Sequence, residues 1–145
     1  MKKILLLFVS TLFIGASVVS CSSDDDKPNN SAKIVGKWNQ VKMTYTALGE
    51  SDEYLHEHLC PSMKDYVEFK DNGTALSVDH NEECLIEYEE TLSWSITNGN
   101  TLNLSDGEES FSFKIQTLNN SVMILTQTEV EEGIEYTVKI EFERD

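Results

Sequence analysis

Cations are scarce in this sequence: 11 lysines and arginines face 26 aspartates and glutamates, the formal net charge at pH 7 is −15, and Arg144 is the only arginine. Affinity for nucleic acid comes largely from lysine and arginine neutralising phosphates, so this composition excludes nucleic acid as a partner. The common catalytic motifs are missing as well. There is no Gly-x-Ser-x-Gly elbow, no phosphate-binding glycine loop and no His-Glu-x-x-His. The chain is therefore not expected to be an enzyme and calls for no cofactor. The acidic clusters Asp106 to Glu109 and Glu129 to Glu132 lack calcium-loop spacing and read as solvated turns. No internal repeat is visible, and the length leaves room for one compact domain.

The one extended apolar stretch stands at the start. Lys2 and Lys3 precede Ile4-Leu5-Leu6-Leu7-Phe8-Val9, and Ser10, Thr11, Gly15 and Ser17 interrupt the apolar run beyond Val9. With no basic stop-transfer cluster after it, the segment reads as a leader rather than a membrane-spanning helix. Val18-Val19-Ser20-Cys21 resembles a bacterial lipobox, which makes residues 1–20 a signal peptide and Cys21 the lipidated first residue of the mature chain. Two or three acyl chains, at ~0.8 kcal/mol per buried methylene, hold such a protein on a membrane without any contact from its fold. Residues 21–32 read as a polar tether, too polar to bury. Ser22-Ser23-Asp24-Asp25-Asp26 resembles the acidic signal by which Bacteroidetes lipoproteins reach the outer face of the outer membrane. Display on the cell surface is the expectation, with the periplasmic leaflet as the alternative. In that oxidising setting the remaining pair, Cys60 and Cys84, is expected to form a disulfide.

From residue 33 onward the apolar positions alternate, and turn residues recur at short intervals, the pattern of half-buried strands. Val41, Met43 and Tyr45 share one face of a first strand from Gly36 to Thr46, and Val67 and Phe69 share one face of a second. Asp71-Asn72-Gly73 predicts a type I′ hairpin leading to a third strand, with Leu76 and Val78 on its inner face. Leu92, Trp94 and Ile96 mark a fourth strand, and Asn98-Gly99-Asn100 turns the chain to a fifth with Leu102 and Leu104. Phe111, Phe113 and Ile115 form a sixth, and Val122 to Leu125 a seventh. Beyond Glu131-Glu132-Gly133, the residues Ile134, Tyr136, Val138, Ile140 and Phe142 form an eighth. An all-β, eight-stranded antiparallel up-and-down barrel satisfies this order best, because closure removes both open edges. The longest connection, Leu48 to Ser62, holds Tyr54, Leu55 and Leu59 near helical spacing and predicts a short helix or lid between the first two strands.

Ile34-Val35-Gly36-Lys37-Trp38, opening an eight-strand meander, resembles the Gly-x-Trp strand of lipocalins, and residues 34 to 143 resemble the lipocalin-like domain of Bacteroidetes lipoproteins. The Thr-Asp-Tyr motif of the core lipocalins is absent. The resemblance implies that Arg144 packs over Trp38 and closes the barrel through a cation–π contact.

An eight-stranded barrel is either filled by side chains or holds one small ligand. If a pocket is present, Tyr45, Trp94, Phe113 and Tyr136 are its expected walls for a small apolar molecule. The alternative is a solid barrel whose loops meet a protein partner, as an inhibitor or an accessory subunit of an outer-membrane assembly. Either way the domain is expected to be monomeric and to touch membrane through its lipid alone. His56-Glu57-His58 with Cys60, and His80 with Glu82, Glu83 and Cys84, read as a polar lid rather than a metal site. A disulfide would remove both thiolates, and histidines spaced i, i+2 share a strand face but not a helix face.

Overall fold

The computed structural model of the chain describes residues 30–145. The leader, Cys21 and Asp24 to Asp26 lie outside these residues. A short helix α1 (Asn30–Ile34) is followed by nine strands: β1 (Gly36–Ala47), β2 (Glu50–Leu55), β3 (Tyr66–Phe69), β4 (Thr74–His80), β5 (Ile86–Thr97), β6 (Thr101–Ser105), β7 (Ser110–Leu118), β8 (Val122–Glu131) and β9 (Ile134–Arg144). Neighbours in sequence pair antiparallel from β3 to β9, and β1 pairs with both β3 and β9. Eight strands thus close an up-and-down barrel, and β2 is an extra arm on the upper half of β1. Asn30, Ser31 and Ala32, tether by composition, are helical in α1, where Asn30 is buried and donates to the Gly99 carbonyl at 2.8 Å.

The segment expected as a short helix or lid begins as the strand β2. Leu48 (φ 54°) and Gly49 (φ 83°) form its turn, with positive φ at both central residues as a type I′ hairpin requires. Every β2 residue is exposed, so it carries no inside–outside alternation. The turn at Asp71-Asn72-Gly73 also differs from expectation. Only Gly73 has positive φ; the Asn72 carboxamide oxygen instead accepts from the backbone and hydroxyl of Thr74, which makes this a longer, bulged hairpin.

Register also corrects two faces. Ala75 lies opposite Phe69 and Leu92, and all three pack in the core, so Leu76 and Val78 are on the outer side of β4. Val78 is nevertheless fully buried, so β4 is covered on both faces. Val41 falls at a bulge between Gln40 and Lys42 and is exposed.

The core sits in the lower half of the barrel: Ile34, Trp38, Phe69, Ala75, Leu102, Ile115, Met123 and Leu125 are buried together. Beneath it is a latch between the two ends of the described chain. The Trp38 indole donates to the Ile34 carbonyl at 2.7 Å, and the Arg144 guanidinium lies 4.4 Å over the Trp38 ring. The same guanidinium donates to the carbonyls of Val35 and Lys33, satisfying the end of α1. At the other end, the Cys60–Cys84 disulfide joins the β2–β3 connection to the β4–β5 turn. On the chain-entropy estimate, a loop of this size contributes ~3 kcal/mol.

Gly36 leaves the space for the latch. Its φ is +128°, and a Cβ there would lie 2.8 Å from Arg144 Nη1. Gly36→Ala is expected to cost upwards of ~1 kcal/mol, from backbone strain and a displaced guanidinium. A urea midpoint equal to that of the parent would show that the latch tolerates the displacement.

Candidate functional site

The upper half of the barrel is built differently because its strands have unequal heights. The β6–β7 hairpin stops at Ser105 and Ser110, while β5 continues upward from Ser93 to Ile86 with only β4 beside it. Likewise β7 and β8 pair only from Lys114–Thr126 downward, whereas β8 and β9 stay paired up to Glu131–Ile134. The wall therefore has a notch over the short hairpin. A cleft of about 560 Å³ opens where β7 and β8 part, lined by Ser110, Ser112, Lys114, Thr126, Gln127, Thr128 and Glu129.

Above the core, the inner face turns from apolar to mixed. Leu125 lies opposite Ile140; one level higher Gln127 faces Val138, and above that Glu129 faces Tyr136. Across the closing seam, Tyr45 lies opposite Val138, and its ring centroid is 5.7 Å from that of Tyr136. Burial, reinforced by Tyr136 and Glu131, pushes the Tyr45 phenol up, which keeps it a neutral hydroxyl. On the opposite wall Ser77 faces Glu90, and Asp79 faces Tyr88, whose hydroxyl donates to Glu90 at 2.8 Å.

Of the four expected pocket walls, Tyr45 and Tyr136 meet near the mouth. Trp94 instead serves the lower structure: its indole donates to the carbonyls of Lys70 and Thr74, both at 3.0 Å, and its ring meets Phe69 edge-on. Phe113 packs against the core. Trp38 and Arg144 form the floor latch, and Cys60 and Cys84 are bonded to each other.

A smaller cavity of about 70 Å³, lined by Gln40, His56, Asp65, Tyr66, Val67, Ser77, Asp79 and Phe142, lies beside this upper space. Here the fold gathers what the sequence scatters. His56 Nε2 is 3.0 Å from Asp65 Oδ2, His58 Nδ1 is 3.4 Å from the same oxygen, and His80 Nδ1 is 3.5 Å from Oδ1. All three histidines of the chain thus surround Asp65, a residue that belongs to no motif and carries no signal of its own in the sequence. Burial alone would push the Asp65 carboxyl up. Hydrogen bonds from the His80 backbone N–H and from His56 outweigh it and hold the group below the usual carboxylate range. Asp79 is shifted the other way, upward, by burial and by the charge of Asp65.

Residues 34–125, more than half of the chain, match the family model described as a lipocalin-like domain. No curated protein matches the chain. Among solved structures, bovine odorant-binding protein in complex with a selenium-containing odorant is 14% identical over 86% of this chain and 78% of that one, with a TM-score of 0.45. A deswapped triple mutant of the same bovine protein is 15% identical over 78% and 74%, with a TM-score of 0.44.

The Asp65 shift gives a pH dependence. Its pKa is lower folded than unfolded, so its stabilising contribution is present above the unfolded value and is lost as pH falls through the folded one. Thermal melts on the acid side should therefore fall less steeply for Asp65→Asn than for the parent. Parallel acid limbs would show that the carboxylate is not held in this way.

Proposed function

From its membership of the lipocalin-like domain family, to which this chain belongs, we propose that the protein is a lipid-anchored envelope protein whose barrel binds one small, largely apolar ligand at its open end. The observation that carries this reading is the contrast between the two halves of the barrel. The lower half is packed solid, while the upper half leaves the Tyr45–Tyr136 pair half-buried beside a notch in the wall. Aromatic rings in such a position give an apolar body a face to stack on. Gln127 and Glu129 beside the pair, and Ser77 and Glu90 on the opposite wall, offer acceptors, so a ligand carrying a hydrogen-bond donor at one end fits best.

In this reading Cys21 bears the lipid and Asp24 to Asp26 direct the protein to the outer membrane, with the cell surface as its address. Replacement by Cys21→Ala should move the protein from the membrane to the soluble fraction of lysed cells and abolish acyl labelling. Retention in washed membranes would overturn the anchor.

A second reading, docking to a protein partner, is favoured by the apolar side chains exposed at the loops and hairpin ends: Leu48, Leu55 and Val130 are 80%, 73% and 68% exposed, with Leu85 and Ile86 also exposed. Two measurements separate the readings. Native mass spectrometry of protein from its own envelope should show added mass that vanishes on denaturation. Titration with the neutral probe N-phenyl-1-naphthylamine should saturate, and Tyr136→Ala should weaken it about three- to tenfold, the scale of one aromatic contact. A native mass equal to that of the bare disulfide-bonded chain, with no saturable probe binding, would favour the partner.

A further inference from the structure

We propose that His56, His58 and Asp65 bind a divalent transition-metal ion of the zinc class, with His80 as the outer partner of the carboxylate. The proposal rests on lone pairs. A neutral imidazole nitrogen attracts a carboxylate only through a proton or a cation lying between them. His58 Nδ1 already accepts the Asp65 backbone N–H at 3.0 Å, so it carries no proton, yet it lies 3.4 Å from Asp65 Oδ2. His80 Nδ1 lies 3.5 Å from Oδ1; the residue is 3% exposed, and this nitrogen has no hydrogen-bond partner. A buried polar atom left without a partner is destabilising, so this nitrogen calls for an account. A cation shared by His58 Nδ1 and the carboxylate answers the first contact, and a His80 that carries its proton on Nδ1 and donates to Oδ1 answers the second, as the outer partner of a metal-bound carboxylate does.

The dimensions fit. One ligand atom from each of His56, His58 and Asp65 lies within 4.8 Å of the others. Donors around a tetrahedral zinc ion, at 2.0–2.1 Å from the metal, stand about 3.3 Å apart. His56 Nε2 and His58 Nδ1 are already 3.0 and 3.4 Å from Oδ2, so only the separation between the histidines needs to close. The ion would take the place of the Asp65 N–H on His58 and of the proton between His56 Nε2 and Oδ2, which moves to His56 Nδ1. Two imidazoles and a carboxylate suit zinc, copper(II) or nickel rather than calcium or magnesium. Three protein donors also leave a fourth position for water or another small donor.

The rest of the fold supports the cluster. Cys60, two residues beyond His58, is bonded to Cys84, four residues beyond His80, so the disulfide ties the two histidine-bearing segments together. Its sulfurs are spent on each other and cannot act as thiolates, which leaves a nitrogen and oxygen donor set. The net charge of −15 raises the local concentration of any cation.

The test uses the full-length chain in detergent, stripped with EDTA, and Zn²⁺ alone as the probe. Calorimetry should give one ion per chain, with the melting temperature rising on binding. Co²⁺ in place of zinc should give visible d–d absorption from nitrogen coordination. His56→Ala and His58→Ala should each weaken Zn²⁺ at least tenfold and abolish the Co²⁺ bands. His80→Gln should weaken binding about 10- to 100-fold while leaving the bands in place, as outer partners of metal ligands do. His58 sits on a connection rather than in a strand, so His58→Ala with a parental far-UV spectrum keeps the test clear of misfolding. Equal Zn²⁺ binding by the parent and the His56→Ala/His58→Ala double variant would mean scattered carboxylate binding and would overturn the proposal, as would no binding by the parent.

Discussion

The contact between Arg144 and Trp38 is the constraint on which the barrel depends. A sheet of eight strands closes only if its first and last members meet, and here that seam ends at the pair Trp38–Arg144. The indole is fully buried and the guanidinium lies on its face, so a charged group forms the floor under an apolar core. Such an arrangement is tolerated because the guanidinium also donates to the Val35 and Lys33 carbonyls, which the short helix leaves without partners. One side chain thus covers the core, closes the seam and caps a helix.

The upper half follows from strand length rather than from side-chain chemistry. Where neighbouring strands reach equal height, the wall is continuous; where β6 and β7 stop short, the upper parts of β5 and β8 each keep only one neighbour, and a cleft opens in the wall where β7 and β8 part. The unpaired edges are not left bare. Glu87, Glu89 and Glu129 lie along them, and the outer edge of β2 carries Glu50, Asp52 and Glu53, charges that discourage pairing with another chain. The strong acidity of the composition therefore has a local use at each exposed edge.

Much of this was legible in the sequence, and the exceptions have physical causes. Every barrel strand carries enough apolar alternation to be placed, and Asn98-Gly99 turns as its residue types demand; Glu132-Gly133 also has positive φ at both positions, although only its glycine favours it. The arm β2 was hidden because all of its residues are exposed, so no period-2 signal exists, and because its turn uses Leu48, a residue that steric rules disfavour at φ 54°. Leu76 and Val78 misled for the opposite reason: Val78 is fully buried on the outer face, so apolar residues lie on both faces of β4. In the candidate site, Tyr45 and Tyr136 could be read from alternation. The Asp65 cluster could not, since its members come from the β2–β3 connection and the end of β4, and only the folded register brings them together.

The latch also fixes how the molecule can be held. Helix α1 and the end of β9 both lie at the solid end, joined through Arg144, while the notch, the tyrosine pair and the histidine cluster lie toward the other. Asn30 therefore stands at the base of the cup, where it donates to the Gly99 carbonyl. A handle attached at Asn30 would sit on the far side of the barrel from the rim and leave the notch and the histidine cluster uncovered.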